Sequence, residues 1–272
     1  MRRLAAALAL SLLAALAAVP ADAAQPGAKA HGQHGPRAGR AAIAWPAGLP
    51  VYDHVVIVVE ENKDYDQIVG NPAAPYINGV LKAEGASLTR MHGEEHNSQG
   101  NYFWLFSGSD QNVGFFDKVP GRPFARPNLG TRLIKRGLSF KGYAEGLPEI
   151  GSTVDTAGNY ARKHVPWASF ANLPHGTTAA TSVTLRLEDF PAAGAYDTLP
   201  TVAFVIPDLT HDMHNGPIAE SIPAGDAWLK EHLDAFYQWA KTHNSLLVLT
   251  FDESDDKKLV IVSVILRFMF SR

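Results

Sequence analysis

The sequence contains no cysteine among its 272 residues. This absence excludes lipoprotein attachment, disulfides and thiol catalysis. The Gly-x-Ser-x-Gly pattern is also missing, which disfavours a serine esterase of the α/β-hydrolase type. The formal net charge is only −3 at pH 7, so the chain lacks the basic excess of a nucleic-acid-binding protein. Apolar residues make up 46% and charged residues 19%, which predicts a globular protein with one sizeable core.

The N-terminus has the pattern of a secretory signal peptide over residues 1–23. Basic residues at Met1–Arg3 precede an Ala/Leu run at Leu4–Val19 and the small-residue segment Ala21–Ala23. A membrane anchor is the alternative, but the run is short for a span of about 20 apolar residues. We therefore expect export to the periplasm or the medium, with no stable membrane anchor. Residues 24–50 predict a disordered leader rich in Ala, Gly, His and Pro, followed by one folded domain over 51–272.

Three apolar, β-branched runs end abruptly in polar residues, at 54–59, 201–206 and 246–251. Such runs are typical of buried strands in a parallel sheet. A helix is predicted from about Asp226, as its N-cap, to Lys241, and it would join the last two strands in a βαβ unit. The sequence therefore predicts an α/β fold with a mostly parallel sheet and helices on both faces.

Weaker patterns complete this secondary-structure prediction. They predict helices at 73–83 and 128–136, a buried helix opening at 101–106, strands at 86–91 and 139–143, and a long elaborated loop region at 145–200.

Oxygen-bearing side chains follow two of the predicted strands. Glu61 and Asn62 come after the first, and Asp252 and Glu253 come after the last. Ligands of open α/β sheets bind outside the carboxyl ends of the strands, and hard divalent cations prefer oxygen ligands. This pattern favours metal-assisted hydrolysis of a phosphate ester. The alternative is that these carboxylates cap helices or lie in solvent.

Ser98 is the candidate nucleophile. It lies directly ahead of the apolar run at 102–106, where a helix N-terminus would favour a phosphoryl anion, and Gly100 would let the backbone approach a ligand. An ordinary Ser N-cap is an equally good interpretation of the sequence. The two interpretations are compatible in geometry.

His211, Asp212 and His214 form a second candidate group, suited to metal ligation or to protonation of a leaving oxygen. A pH-sensitive pair of histidines in a surface loop is the alternative. His164 lies in a basic segment and adds cationic character.

Eight segments of the chain resemble the bacterial phosphoesterase family of secreted acid phosphatases and phosphocholine-type phospholipases C, which is related to alkaline phosphatase. They are Tyr52–Asp66, Ala74–Asn78, His96–Tyr102, Leu105–Ser109, Tyr160–Trp167, His211–His214, Trp239–Ser245 and Phe251–Glu253. The resemblance implies a three-layer α/β/α fold, alkaline-phosphatase-like. It implies a divalent metal cation at Glu61, Asn62, Asp252 and Glu253. It further implies Ser98 as the phosphorylated nucleophile and His164, Asp212 and His214 lining the phosphate pocket.

The sequence departs from the family pattern at two places. Asn97 and Gly100 replace prolines that usually flank the nucleophile, and the segment after about residue 256 has no counterpart of the family's last histidine. Leu259–Leu266 could replace the next strand, but with no helix to cover it, which predicts an exposed apolar edge and low stability.

The sequence thus favours a metal-dependent phosphomonoesterase of acid-phosphatase type acting on a small phosphate ester or a phospholipid head group. The alternatives are a phospholipase C-type phosphodiesterase, for which Trp104, Tyr160 and Trp167 are candidate choline contacts, or an inactive pseudoenzyme.

Overall fold

A seven-stranded sheet forms the centre of the protein. The computed structural model describes residues 50–255 and 260–267. The predicted signal peptide at 1–23 lies outside these residues, as does the predicted leader at 24–50 except for Pro50. The strands are β1 His54–Glu60, β2 Ala86–Ser87, β3 Met91–His92, β4 Phe140–Ala144, β5 Thr156–Ala157, β6 Tyr160–Ala161, β7 Thr184–Arg186, β8 Val202–Ile206, β9 Ser245–Phe251, β10 Val260–Ile261 and β11 Ser263–Arg267.

The sheet has the strand order β2-β11-β9-β1-β8-β4-β7. The run from β9 to β7 is parallel, whereas β11 is antiparallel to both β9 and β2. Val58 pairs with Val205 and Glu60 pairs with Phe251, so the carboxyl ends of β8, β1 and β9 lie side by side. The predicted α/β class with a mostly parallel sheet is confirmed, and the three long strands begin and end within one residue of their predicted bounds.

Helices cover both faces of the sheet. They are α1 Tyr65–Ile68, a π-helix Ile77–Leu81 that continues into α2 Lys82–Glu84, α3 Ser98–Ser107, α4 Leu129–Lys135 and α5 Ile218–Ala240, with 3-10 turns at Arg162–His164, Pro166–Ser169, Leu187–Asp189 and Tyr196–Thr198. Alternate residues of β1 and β8 belong to two separate apolar clusters. One cluster contains the buried face of α5 and the π-helix, and the other contains that of α3. The sheet is therefore the middle of three layers.

Helix α5 begins eight residues earlier than the sequence indicates, so the prediction of Asp226 as its N-cap is wrong. The helix starts at Ile218 after Pro217 and contains Pro223. Asp226 is buried inside it and accepts hydrogen bonds from the backbone N–H groups of Tyr76 (2.9 Å) and Ile77 (2.8 Å). Its carboxylate thus satisfies donors at the start of the π-helix, on a segment 150 residues away in the chain.

Two other predicted segments are corrected. The helix predicted at 73–83 is mainly π-helical, from Ile77 to Leu81, and the strand predicted at 86–91 is two short strands. The region 145–200 is not only loop, because β7 lies within it and pairs with β4 at the edge of the main sheet. A three-residue strand is too short to show a sequence period.

The C-terminal strand β11 forms as expected, but its core face is not exposed. Val264 and Leu266 are fully buried, and so is Val262 just before the strand. A Cβ added at Gly85, just after α2, would lie 2.8 Å from Val264 and 2.9 Å from Leu266. The cover comes from the segment that precedes β2, not from a C-terminal helix, and this is why the predicted exposed edge is wrong for these side chains. Within the described ranges, no helix is both long and apolar enough to cross a membrane.

Candidate active site

Backbone hydrogen bonds hold three loops together at the carboxyl edge of the sheet. The N–H of Glu61 donates to the carbonyl of Asp212 (2.7 Å), and the N–H of Asp252 donates to the carbonyl of Glu60 (3.0 Å). The N–H of Asn62 donates to Asp252 Oδ1 (3.2 Å). The bond between Asp252 and Glu60 continues the parallel register of β1 and β9, and the other two bonds come from the loops that follow β8 and β9. The structure therefore brings together the polar residues that the sequence places after each strand.

Ser98 is the first residue of α3 and lies at the centre of this edge. Asn97 occupies the N-cap position, so the interpretation of Ser98 as an ordinary N-cap is wrong. The Ser98 hydroxyl donates to Glu61 Oε2 at 2.9 Å and lies 3.3 Å from Glu253 Oε1. The free N–H groups of the first helical turn and the helix dipole favour an anion at this position.

His164 lies between two buried carboxylates on the other side of Glu61. Its Nε2 is 3.1 Å from Glu61 Oε1, and its Nδ1 is 3.3 Å from Asp212 Oδ2. Tyr102 of α3 stacks on the imidazole, with ring centroids 4.9 Å apart. The side chains of His164, Glu61 and Asp212 are almost inaccessible to solvent. The 3-10 turn and α3 together hold the ring in place.

Two groups of ligand atoms at this edge could hold a metal ion, and they share Glu61. One consists of Glu61, His164 and Asp212, and the other of Glu61, Asp252 and Glu253; in each group the ligand atoms lie within 4.8 Å of one another. Among the described residues, Asn62 Oδ1 and Asp252 Oδ2 are buried and accept no hydrogen bond. Unsatisfied buried oxygens and a carboxylate-rich donor set fit a hard divalent cation. The predicted metal ligands are therefore adjacent, as the metal interpretation requires.

The electrostatics of the site also favour a cation. Burial raises the pKa of Glu61 and of Asp252 well above the ordinary range, and the neighbouring carboxylates add to both shifts. Burial likewise raises the pKa of Asp212 to about 7 and that of Glu253 above its usual value. Burial lowers the pKa of His164, so the imidazole is neutral, which is the form that binds metals. A bound cation would reverse these carboxylate shifts.

The two histidines of the 211–214 segment have different surroundings. His214 lies beside the site. Its backbone N–H donates to Asp212 Oδ1 at 2.8 Å, and the centroid of its ring is 6.3 Å from that of His164. His211 points elsewhere and contacts Glu145 (3.0 Å) and Asp208 (3.3 Å). The structure therefore brings Asp212 and His214 close to His164 and leaves His211 in a separate group.

Three residues near the site had no role in the sequence prediction. His96 Nδ1 lies 3.3 Å from Glu253 Oε2, and its position two residues before Ser98 was the available signal. Lys63 is buried and donates from Nζ to the carbonyl of Asn62 (3.1 Å). The charge of Lys163, next to His164, offsets part of the burial effect that raises the pKa values of Glu61, Asp212 and Glu253.

Gly100 has a packing role that the sequence did not indicate. A Cβ at this position would lie 2.7 Å from a carboxylate oxygen of Glu95. Glu95 also accepts a hydrogen bond from the Trp104 indole, one turn further along α3. The glycine therefore makes room for a carboxylate of the preceding loop.

Comparisons with known proteins agree with this geometry. Residues 74–257 match the model of the Phosphoesterase family. A phosphatidylinositol-3-phosphatase of Mycobacterium tuberculosis is 48% identical over 81% of this chain and 68% of its own length. A probable acid phosphatase of Kluyveromyces lactis is 29% identical over 73% of this chain, which spans only 47% of that relative.

The comparison with solved structures concerns the fold alone. A solved protein of the alkaline phosphatase superfamily from Vibrio parahaemolyticus superimposes with a TM-score of 0.51 and 13% identity, over 80% of this chain and 60% of that one. This likeness confirms the predicted fold. The phosphatase names of the relatives support the predicted class, a phosphoric monoester hydrolase. The chain belongs to the Phosphoesterase family.

Proposed function

We propose that this chain is a metal-dependent phosphomonoesterase of acid-phosphatase type that works through a phosphoserine at Ser98. One observation carries the proposal: the Ser98 hydroxyl lies between Glu61 and Glu253, and both carboxylates belong to groups that could hold a metal ion. A cation at this place would offset the charge of the acidic side chains that surround the buried hydroxyl. With a cation bound, the hydroxyl is arranged for transfer of a phosphoryl group.

In the proposed reaction, Ser98 Oγ attacks the phosphorus of a monoester. Glu61 and Glu253 contact the hydroxyl and are placed to take its proton. The Oγ–P bond forms as the bond from phosphorus to the leaving alcohol breaks, and the departing oxygen takes up a proton, for which the exposed His96 and the half-buried His214 are the candidate donors. Water then attacks the phosphoserine, which releases inorganic phosphate and restores the Ser98 hydroxyl.

A divalent cation at Glu61, Asn62, Asp252 and Glu253, with His164 and Asp212 in the adjoining group, would polarise the phosphoryl oxygens and offset the charge that develops on them. The helix α3 supports the same charge through its N-terminal N–H groups. Stacking on Tyr102 and contact with two carboxylates fix the His164 ring. The orientation of the His164 ring therefore does not depend on the identity of the metal.

We propose a phosphoinositide head group as one substrate class, because the relative from Mycobacterium tuberculosis is named for that activity. The chain spans about two thirds of that relative and about half of the fungal acid phosphatase. The structure gives no support to the phosphodiesterase alternative through a choline cage. Tyr160 and Trp167 are fully buried in the core, where a choline group cannot reach them. The indole N–H of Trp104 donates a hydrogen bond to the carboxylate of Glu95.

The test is hydrolysis of an aryl phosphate by the purified chain, with and without a chelator. Chelation should abolish release of phosphate, and added divalent cation should restore it. Ser98→Ala should lower the rate by at least ~10³-fold because the nucleophile is lost. Ser107→Ala, at the other end of the same helix, is the matched control and should keep the wild-type rate.

Three outcomes would contradict the proposal. Full activity of Ser98→Ala would exclude the phosphoserine, and a strong preference for a phosphodiester over the matching monoester would favour the phospholipase C alternative. Calorimetric binding of divalent cations with no turnover of any ester would identify a pseudoenzyme.

We also propose that the protein is exported, on the strength of the signal pattern in residues 1–23. Sequencing the N-terminus of the exported product should show removal of the segment that ends near Ala23. Retention of Met1 on a cell-associated product would contradict export.

A further inference from the structure

The loop that follows α3 folds back to the start of the same helix. The helix ends at Ser107, and Gly108 takes the left-handed conformation that turns the chain. Two successive turns follow, closed by the bonds Val113 N–H to Asp110 O (3.2 Å) and Phe116 N–H to Val113 O (3.1 Å). The loop, residues 108–118, therefore has a defined path and not an extended one.

Two bonds tie this loop to neighbours of the candidate catalytic residues. The side chain of Asn97, next to Ser98, donates to the carbonyl of Gly114 at 2.6 Å. Lys163, next to His164, pairs with Asp117 at 3.4 Å. The dipeptide Phe115-Phe116 lies between these two anchors, within two Cα–Cα steps of each, or about 8 Å. It therefore lies close to the segments that carry Ser98 and His164.

The two phenylalanines expose more apolar surface than the fold requires. Phe115 is 87% exposed and Phe116 is 56% exposed, which makes them the most exposed large apolar side chains in the described ranges. Single exposed apolar residues are common, but two adjacent aromatic rings at the tip of an anchored loop are not explained by packing. The basic side chain of Lys118 follows them and is also exposed.

We propose that Phe115 and Phe116 dock the protein on a lipid surface so that the head-group phosphate of a membrane lipid reaches Ser98. This inference rests on the proposed function, since a phosphoinositide presents its phosphate at the membrane interface. Aromatic rings with a neighbouring basic residue suit that interface, where apolar rings enter the acyl boundary and Lys meets anionic head groups. The contacts at Gly114 and Asp117 fix the rings relative to the nucleophile.

The size of the patch favours lipid over a protein partner. Two phenylalanine rings bury at most about 150–250 Å² each. A stable protein interface needs about 800 Å² from each partner, so the pair alone is too small for one. A lipid surface needs no complementary shape, and two inserted rings provide a reversible contact that allows product release.

The absence of cysteine permits a direct test with a single attached probe. Phe115→Cys and, as a matched control, Ile134→Cys would each carry one environment-sensitive fluorophore, since the sequence has no other cysteine. Ile134 is 41% exposed on α4, which leads into the amino end of β4, away from the site. With phosphatidylcholine vesicles containing phosphatidylinositol 3-phosphate, the probe at position 115 should shift to the blue and the probe at 134 should not. Equal shifts, or no shift at either position, would overturn the proposal.

Activity provides the second measurement. The double variant Phe115→Ser/Phe116→Ser should hydrolyse vesicle-embedded phosphatidylinositol 3-phosphate about 10-fold or more slowly, because it loses the apolar contact. Its rate on an aryl phosphate and on a short-chain soluble phosphoinositide should stay at the wild-type value. Ile134→Ser should retain all three rates.

The outcomes separate this inference from the proposed function. An equal loss on soluble and vesicle substrates would mean that the rings only support the site, and would overturn docking. Concentration-dependent dimerisation that the double variant abolishes, with no effect on vesicle binding, would assign the patch to a second copy and overturn it too. If the wild-type protein hydrolyses no ester but the probe at 115 still enters vesicles, docking stands and the proposed function fails.

Discussion

Asp226 shows how one buried carboxylate joins two segments at the scale of a single residue. It accepts two backbone N–H groups, from Tyr76 and Ile77, although its own position is inside α5. Two acceptor oxygens match two donors, and only an ionised carboxylate supplies both without a competing proton donor. The residue therefore locks the π-helix against α5.

Asp226→Asn should lower the free energy of unfolding by about 1–3 kcal/mol, because the amide NH₂ would face a buried backbone N–H and leave it unsatisfied. Asp234→Asn is the matched control on the same helix. Asp234 is half-buried and accepts hydrogen bonds from the side chains of Tyr76 and Gln238, for which Asn still offers an acceptor oxygen, so this change should cost only about 0.5 kcal/mol. Urea unfolding of both variants measures the difference; equal effects would show that the two backbone bonds add nothing.

The carboxylates of the site predict how stability depends on pH. Burial raises the pKa of Asp212 from 3.8 to about 7 and raises those of Glu61 and Asp252. A native carboxyl with a raised pKa holds its proton where the unfolded chain has lost it. The metal-free protein should therefore lose stability as pH rises above about 4, and the contribution of Asp212 should level off above about 7.

A divalent cation should oppose this loss, since it stabilises the ionised carboxylates of the folded state. We expect the rise in Tm on adding the cation to be larger at about pH 8 than at about pH 5, where protons compete with the metal. Thermal melts with chelator and with cation at both pH values are the measurement. A rise in Tm that does not change with pH would mean that these carboxylates do not hold the ion.

Helix α5 acts on the site as an element, through the close approach of its backbone to the loop that carries Asp212. A Cβ at Gly225 would lie 2.5 Å from Met213 Cγ and 2.7 Å from the backbone carbonyl of His211. A carbonyl cannot move aside as a flexible side chain can. The glycine therefore sets the distance between α5 and the 211–214 loop.

Gly225→Ala should destabilise the protein by about 1–3 kcal/mol and lower phosphatase activity, because the displaced loop moves Asp212. The matched control is Gly79→Ala, an exposed helical glycine with no atom within 4 Å of the added Cβ. That variant should be as active as wild type and more stable by up to about 1 kcal/mol. If the two variants behaved alike in melts and assays, the contact at Gly225 would not matter.

The elements that the sequence predicts well are those with a long, uninterrupted pattern. The strand 246–251 is apolar except for Thr250 and is paired on both sides in the sheet, so its prediction needed no tertiary information. The start of α5 was predicted wrongly because Pro223 and Gly225, which usually interrupt helices, come just before Asp226. In the structure, tertiary contacts keep the helix continuous through both residues. Strand β7 has three residues and exists only through its pairing with β4.

At the site, too, residues next to a long apolar run are the ones that can be predicted. Glu61, Asn62, Asp252 and Glu253 were predictable because each follows a strand whose end the apolar run defines. The separation of His211 from His214 was not, because it depends on the left-handed backbone at Met213 between them. The contact of His96 with Glu253 joins residues far apart in the chain, and no local pattern specifies it.

At the scale of the whole molecule, the C-terminal strand closes the fold. Strand β11 joins β9 to β2, and its buried side chains pack against the segment that ends at Gly85. The hydroxyls of Thr250 and Ser263 are 2.7 Å apart across the β9–β11 pair. The last strand therefore connects the sheet to the π-helix and α2, which lie some 180 residues earlier in the chain.

Two neighbouring substitutions in β11 test this role. Val264 is fully buried, and Ile265 points to the opposite face of the strand and is half-buried. Val264→Ser should lower the free energy of unfolding by about 2–4 kcal/mol, through the loss of apolar contacts and the burial of a hydroxyl, and should reduce the soluble yield. Ile265→Ser should cost about half as much, since part of its side chain is already in water. Denaturant unfolding of both variants measures the difference. If neither substitution changed the free energy of unfolding, β11 would not be packed against the core in solution. The protein would then have the exposed apolar edge that the sequence indicates.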